Sequence, residues 1–138
     1  AYRSLTKSWF EHSPLLELLK KISEGGYELV ITTDHGTKRV TSPYKIIGDK
    51  SVNTNLRYKQ GKNLSLKEKG VFMMHNPEEY MLPKVNVSSK YAFTKNDDFF
   101  IYPNNYNKFV SLYQDTFQHG GVSMEEIIIP LIELSPKK

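Results

Sequence analysis

The first clear pattern of apolar and polar residues predicts a helix over residues 13–24. Leucine and isoleucine recur there at spacings of three and four, while lysine and glutamate occupy the opposite face. Ser13 is a favourable N-cap, and Pro14 suits the first helical position because its missing N–H is not needed there. The pair Gly25-Gly26 predicts the end of the helix. Four apolar side chains should pack this helix against a sheet: Leu15, Leu18, Leu19 and Ile22.

A short apolar segment over residues 27–33 predicts a buried central strand directly after the helix. The segment is too short for a helix, contains the β-branched residues Val30 and Ile31, and lies between turn signals. Because a helix that leads into such a strand forms an αβ unit, we expect an α/β fold. Asp34 and His35 come at the C-terminal end of the strand, the edge at which open α/β sheets bind ligands.

Shorter elements are predicted along the rest of the chain. Residues 48–69 show no clean period and are expected to be a long loop, whereas residues 90–94 and 98–102 predict a hairpin. A helix over residues 113–119 would place Asp115 and His119 on one face. Ser123 and Glu126 have the spacing of a capping box, which predicts a short helix that ends by Pro130. The other predicted elements are a helix start at 76–79 and strands at 38–41, 45–47, 70–74 and 131–134.

Asp34 and His35 are candidate metal ligands, because a carboxylate and a neutral imidazole both suit a borderline divalent ion such as zinc or manganese. The alternative is that Asp34 caps the next turn beside a surface histidine. His119 is the second candidate, since it precedes two glycines and a capped helix whose N-terminus favours an anion. The remaining two histidines are interpreted as structural: His12 and His75.

The composition is that of one globular domain, residues 1–138, with 25% charged, 38% hydrophobic and 12% aromatic residues. The aromatic content argues against disorder. The absence of Cys fits a reducing compartment and excludes disulfides and thiolate metal sites, so we expect a cytoplasmic protein. No apolar run approaches the length of a membrane span, and no membrane partner is expected.

A positive net charge of +4 is concentrated in residues 45–69. This segment could attract phosphate-bearing ligands through its field, and the alternative is a solvated loop surface. It lacks the dense alternation of basic and aromatic residues that nucleic-acid grooves show, so nucleic acid is not expected as the main partner. On charge alone, four residues are candidates for contacting substrate phosphate: Arg39, Arg57, Lys59 and Lys62.

Two separated segments together resemble the C-terminal part of a PglZ domain, a branch of the alkaline phosphatase superfamily. They are Thr32-Thr33-Asp34-His35-Gly36 and the segment that runs from His119-Gly120-Gly121 to Ile129-Pro130. Residues 9–14 and 55–64 further resemble the version found behind a response-regulator receiver in the Bacteroidetes type IX secretion regulator.

The resemblance implies an alkaline-phosphatase-like sheet with flanking helices and two zinc ions. Asp34 and His35 would bind the zinc that lies with the nucleophile, and His119 would bind the other. The superfamily's Thr or Ser nucleophile, a further Asp and an Asp-x-x-x-His motif normally precede the Asp-His pair. The residues ahead of Asp34 carry no such set. We therefore expect this chain to be an incomplete, C-terminal portion of the domain that is inactive alone.

The function implied by the resemblance is a zinc-dependent phosphatase or phosphodiesterase domain that acts as the output of a two-component response regulator. The alternative is a non-catalytic signalling module that binds a nucleotide or a protein partner. The expected partners are a phosphate-ester or nucleotide substrate and proteins of the signalling pathway, with a homodimer left open.

Overall fold

The computed structural model describes residues 2–48, 54–66 and 69–136. These ranges contain four α-helices, one 3₁₀ helix (Pro77–Tyr80) and nine strands. The helices are α1 (Tyr2–Glu11), α2 (Pro14–Glu24), α3 (Tyr106–Tyr113) and α4 (Met124–Ile127). The strands are β1 (Leu29–Thr32), β2 (Lys38–Arg39), β3 (Ser42–Lys45), β4 (Tyr58–Gly61), β5 (Val71–Met74), β6 (Lys90–Thr94), β7 (Asp98–Ile101), β8 (Phe117–Gln118) and β9 (Leu131–Leu134).

The strands of the described residues form four small sheets. Three of them are two-stranded: β1 with β9 and β2 with β8, both antiparallel, and β3 with β7, which is parallel. The fourth is antiparallel and has the order β4-β6-β5. The expected mixed α/β class is thus confirmed, but the strands are spread over several small sheets rather than gathered in one large sheet. None of the helices in the described ranges combines the length and apolarity that a membrane crossing requires.

The chain divides into two compact units, Ala1–Thr33 with Pro130–Lys138 and, as the second, Asp34–Ile129. In unit 1, α2 begins at Pro14 after the extended N-cap Ser13 and ends at Glu24, with Gly25 as its C-cap, as the sequence predicts. Residues 2–11, a polar and aromatic segment for which no helix was predicted, form α1. Leu19 and Ile22 are half-buried and line a small cavity with residues of β1 and β9, whereas Leu15 and Leu18 are exposed.

The prediction of a buried central strand over residues 27–33 is wrong. Within the described residues β1 pairs only with β9, and Tyr27 and Val30 are 70% and 57% exposed. The β-branched composition correctly indicated an extended backbone. It could not indicate how many neighbours the strand has, because pairing depends on residues far along the chain.

The most buried strands among the described residues are β6 and β7, both in unit 2. Phe99 and Ile101 pack on one side against residues of α3, while Phe100 packs on the other against Ile46, Val71 and Ala92. A third cluster joins Met74, Tyr91 and Phe93 of strands β5 and β6. These clusters make Asp34–Ile129 the part of the chain that carries the hydrophobic core.

Two predictions for unit 2 fail because long-range pairing replaces local structure. β6 and β7 do not form a hairpin, since β6 pairs with β4 and β5 while β7 pairs with β3. Residues 113–119 are not helical: α3 ends at Tyr113, Asp115 has a φ of 64°, and residues 117–118 pair with β2. Asp115 and His119 therefore do not share a helix face. The loop predicted over residues 48–69 contains β4, and part of it (49–53 and 67–68) lies outside the described residues.

Candidate metal site at the histidine pair

The short antiparallel ladder of β2 and β8 brings His35 and His119 together. Lys38 pairs with Gln118, so the chain just before β2 runs beside the chain just after β8. The two imidazole rings stack with centroids 3.9 Å apart and an interplanar angle of 13°. The expected proximity of these two histidines is confirmed, although 84 positions separate them in sequence.

Asp34 lies beside the same pair. Its Oδ2 is 3.7 Å from His35 Nε2, and its Oδ1 accepts the His35 backbone N–H at 3.0 Å. On the other side of the ring, His35 Nδ1 donates to the Gly36 carbonyl at 2.9 Å. Because a carbonyl oxygen can only accept, this hydrogen bond requires a proton on Nδ1 and orients the imidazole ring.

The spacing of Asp34 and His35 fits two ligands of one ion. Two atoms that each lie about 2.1 Å from a tetrahedral zinc are about 3.4 Å apart, close to the 3.7 Å between Oδ2 and Nε2. A carbonyl that accepts from the other ring nitrogen is the usual companion of a metal-binding histidine. Across residues 2–48, 54–66 and 69–136, however, no group of three or more His, Cys, Asp or Glu is placed to hold a metal ion. The donors therefore fit part of a zinc coordination sphere.

A buried ion pair between Arg57 and Glu126 stabilises the segments that carry His35 and His119. Arg57 is 0% and Glu126 3% exposed. The pairing is bidentate, with Arg57 Nε 2.9 Å from Oε1 and Nη2 2.8 Å from Oε2, and the third guanidinium nitrogen donates to the Asp98 carbonyl. Such a fork geometry is the strongest form of a carboxylate–guanidinium contact.

Glu126 stays ionised although it is buried. Burial alone raises the pKa of a carboxyl, but hydrogen bonds from Arg57, from the Ser123 hydroxyl (2.7 Å) and from the Gly121 N–H (2.9 Å) outweigh this effect. Together they hold the pKa of Glu126 at about 2. The capping box predicted from Ser123 and Glu126 is present. The carboxylate of its glutamate also accepts two hydrogen bonds from Arg57.

The same glutamate links the two histidine-bearing segments. Its backbone carbonyl accepts the N–H of Gly36, the residue after His35, at 2.9 Å. Its carboxylate accepts the N–H of Gly121, two residues after His119. The side chain of Asn55 adds a third support, because its amide nitrogen donates to the His119 carbonyl at 3.2 Å and its oxygen accepts the Arg57 N–H at 2.7 Å.

Two glycines are required by these close approaches. A Cβ on Gly36 would lie 1.9 Å from the Glu125 carbonyl oxygen, a backbone atom that cannot move aside independently. A Cβ on Gly121 would lie 2.6 Å from Glu126 Oε2 and 2.9 Å from Arg57 Nε. A side chain at Gly36 would push the His35 segment away from the backbone of α4, and one at Gly121 would push the segment after His119 away from the buried ion pair.

The four charge-based phosphate candidates lie in different environments. Arg57 is buried in its pair with Glu126, and Lys59 is 1% exposed with its ammonium 4.7 Å from the centroid of the Tyr102 ring. A substrate phosphate cannot reach these two groups in this conformation, which corrects the prediction from charge alone. Arg39 is exposed and pairs with Asp115 at 2.9 Å, and Lys62 is exposed. Both stay candidates.

Sequence reasoning missed the supporting role of Arg57, Glu126 and Asn55. The signal for Glu126 was its capping-box position, which locates a carboxylate but not its distant partner. Residues 55–57 lie in a segment without a clear period. The structure makes the pairing visible because it joins residues 69 positions apart.

The comparison with protein families first gives the class: this α/β chain matches an alkaline phosphatase-like domain. Over residues 1–134 it matches the family described as the BREX system PglZ alkaline phosphatase-like domain, and the chain belongs to this PglZ family. A comparison with curated protein sequences gives no match. Alkaline phosphatase-like proteins are generally metal-dependent, which agrees in kind with an acid and two histidines meeting at one place.

Proposed function

We propose that this chain is the C-terminal portion of a zinc-dependent phosphatase or phosphodiesterase domain in which Asp34, His35 and His119 are metal ligands. The observation that carries the proposal is that two histidines distant in sequence, with ring centroids 3.9 Å apart, lie next to an aspartate. Membership of an alkaline phosphatase-like family supports it.

Each residue has a defined task in the proposal. Asp34 Oδ2 and His35 Nε2 would hold one ion, with the imidazole oriented by the Gly36 carbonyl. His119, whose ring stacks on that of His35, would hold the other ion. Zinc bound there would polarise a phosphoryl oxygen and neutralise the charge that develops on it.

The ligand count gives the proposal its second part. Three or four protein ligands usually hold each zinc, whereas the described residues offer two for one ion and one for the other. On the resemblance, in which the nucleophile and a further Asp precede the Asp-His pair, we propose that the remaining ligands and the nucleophilic hydroxyl come from a part of the domain outside these 138 residues. The 138-residue chain alone should bind zinc weakly and hydrolyse neither monoesters nor diesters.

Exposed cations near β2 and β4 are the proposed contacts for substrate phosphate. Arg39 is held in an exposed ion pair with Asp115, and exposed pairs exchange readily because they contribute little energy. Lys62 follows β4 directly. The proposed setting is the cytoplasmic output domain of a two-component response regulator of type IX secretion, on the resemblance of residues 9–14 and 55–64.

Zinc titration by calorimetry tests the ligand assignment. Asp34→Asn, His35→Gln and His119→Gln should each weaken zinc binding by more than about tenfold, because each removes a donor atom. His75→Gln and His12→Gln are matched controls and should bind as the wild type does. Unchanged affinity in all three ligand variants would show that the site has been assigned to the wrong residues.

Hydrolysis of p-nitrophenyl phosphate and bis(p-nitrophenyl) phosphate tests the activity. A longer protein that contains the rest of the domain should turn over at least one of them in a zinc-dependent manner, and Asp34→Asn should remove most of that turnover. Zinc-dependent turnover by the 138-residue chain would contradict the proposed need for further ligands.

A second candidate is a non-catalytic module that binds a nucleotide or a signalling protein. It is favoured by one observation, that the described residues contain no complete group of metal ligands. Failure of both the wild-type chain and the longer protein to bind zinc would support this alternative.

A further inference from the structure

The β3 cleft is an open cavity of about 670 Å³ in unit 2, between strand β3 and residues 65–69. Tyr44, Lys45 and Ile47 lie on one wall, and Ser65, Leu66 and Lys69 lie on the other. None of these residues belongs to the group of Asp34, His35 and His119. The cleft is therefore a second place in unit 2 where a molecule could bind, and most of its lining comes from the basic segment over residues 45–69.

The two walls of the β3 cleft are joined to each other at two places. Ile47 and Ser65 exchange backbone hydrogen bonds at 2.9 and 2.8 Å. Three positions before Ile47, the Tyr44 hydroxyl donates to the Lys69 carbonyl at 3.2 Å. Tyr44 and Leu66 also pack against the buried hydrophobic core of unit 2. These contacts hold the walls in place, so the cleft is formed before a ligand enters it, as most small-molecule sites are.

Apolar side chains offer a ligand contact surface inside the cleft. Ile47 is 59% exposed, which is high for a large aliphatic side chain, and Leu66 on the opposite wall is half-buried. The volume of the cleft falls in the range that accommodates small molecules of several rings or a medium-length alkyl chain. An apolar group lying against Ile47 and Leu66 would remove their remaining apolar surface from water, which is favourable.

Positive charge lies on both walls of the same cleft. Lys45 on β3 and Lys69 on the opposite wall are both exposed, and the Nζ of Lys45 lies 4.8 Å from the centroid of the Tyr106 ring. No acidic side chain is found among the described residues that line the cleft. The described walls are therefore complementary to an anion. A phosphate monoester, with a charge of about −1.5 to −2 at neutral pH, matches two lysines better than a singly charged carboxylate does.

We propose that the β3 cleft binds a phosphate monoester that carries an apolar tail. Lys45 and Lys69 contact the phosphate, and the tail lies against Ile47 and Leu66. Both halves of the ligand are needed, because exposed lysines alone hold a phosphate weakly in water and the apolar walls alone do not select an anion.

Decyl phosphate is the probe, used below the concentration at which it forms micelles. Its binding to the 138-residue chain is followed by calorimetry in the presence of EDTA, which prevents any contribution from a metal ion. The wild type should bind decyl phosphate saturably. Decan-1-ol, which has the tail without the charge, should bind about tenfold more weakly or worse, and decanoate should lie between the two.

Two substitutions of exposed side chains test the two halves of the cleft. Lys69→Met should weaken binding of decyl phosphate about fivefold, because it removes one of two cations, and Ile47→Ser should weaken it severalfold through lost apolar contact. Lys95→Met changes an exposed lysine between β6 and β7, and Val85→Ser changes an aliphatic side chain that is 73% exposed. Neither residue lines the cleft, so both matched controls should bind as the wild type does.

NMR on the wild type gives a second test that needs no variant. Decyl phosphate should shift the methyl signals of Ile47 and Leu66 and leave those of Val85 in place. The proposal is overturned if no saturable binding is seen, if Lys69→Met binds as tightly as the wild type, or if decan-1-ol binds as tightly as decyl phosphate. Equal affinity for decanoate would overturn the assignment to a phosphate. The cleft and the metal ligands share no residue, so the zinc titrations and the decyl phosphate titrations succeed or fail separately.

Discussion

At the scale of single residues, Glu126 links the elements of the candidate site through its buried carboxylate and its backbone carbonyl. It receives Arg57, the Ser123 hydroxyl and the Gly121 N–H through its carboxylate, and Gly36 through its backbone. Removing one partner of a buried ion pair typically costs about 3–5 kcal/mol, because the other charge stays buried without compensation. The pair therefore stabilises both histidine-bearing segments, and breaking it would greatly lower the free energy of unfolding.

The low pKa of Glu126 predicts a specific loss of stability in acid. The pKa is about 2 in the folded chain and 4.5 when unperturbed, so the folded state binds fewer protons between these values. The stabilisation is complete above about pH 4.5 and is lost as the pH falls toward 2, by up to about 3 kcal/mol. Urea unfolding at a series of pH values should show this slope in the wild type and a smaller slope in Glu126→Gln.

The matched control for this measurement is Glu133→Gln, which removes an exposed carboxyl of β9. It should keep the wild-type slope between pH 4.5 and 2. If Glu126→Gln lost stability in acid as steeply as the wild type, another carboxyl would have to be responsible.

At the scale of elements, the crossing of the Gly36 segment past α4 sets the position of His35. Gly36→Ala would place a methyl group 1.9 Å from the Glu125 carbonyl oxygen, so one backbone segment must shift. Overpacking of this kind costs about 1–3 kcal/mol. We expect a lower free energy of unfolding and, because the segment moves, altered ring-current shifts of His35 and His119 in the NMR spectrum.

Gly25→Ala is the control for that substitution. Its Cβ would lie 2.8 Å from the ring of Tyr27, which is 70% exposed and able to rotate away, and 3.4 Å from the Lys21 carbonyl oxygen, close to ordinary van der Waals contact. The free energy of unfolding should change little, and the histidine signals should not move. Equal effects of the two substitutions would mean that the contact at Gly36 does not hold His35 in place.

The elements also show which parts of the structure a single sequence can predict. Helix α2 and the start of α4 were predicted because Ser13-Pro14 and the Ser123–Glu126 box act over one turn of chain. The partners of β6 and β7 were not, since each strand pairs with a segment whose position depends on the whole fold. The two histidines were singled out by their neighbouring residues and by resemblance. The stabilisation of their segments by the Arg57–Glu126 ion pair was not predicted, because no local pattern indicates a contact between residues 69 positions apart.

At the scale of the whole molecule, the two units differ in how much apolar surface they bury. All three clusters of buried hydrophobic residues belong to Asp34–Ile129, whereas no described residue of unit 1 is buried. A two-stranded sheet without a core is marginal by itself. We expect amide hydrogens of β6 and β7 to exchange slowly, near the rate of global unfolding, and those of β1 and β9 to exchange much faster.

Native-state hydrogen exchange on the intact chain measures this difference directly. The comparison of β1 with β6 is internal, so it does not depend on protein concentration or on a variant. Similar protection in both strands would show that the 138-residue chain opens as a single cooperative unit.

The pairing of β1 with β9 also has a consequence for the order of folding. The Thr32 hydroxyl donates a hydrogen bond to the Pro130 carbonyl, 98 positions later, and Thr32 pairs with Leu131 in the β1–β9 ladder. Closing a flexible loop of that length costs about 4 kcal/mol by the chain-length term alone, and a two-stranded ribbon offers little to offset it early. Once Asp34–Ile129 has collapsed around its core, most of the loop is already compact and this entropic barrier falls. The chain should therefore fold from its middle outward, with the first and last strands joining late and separating first.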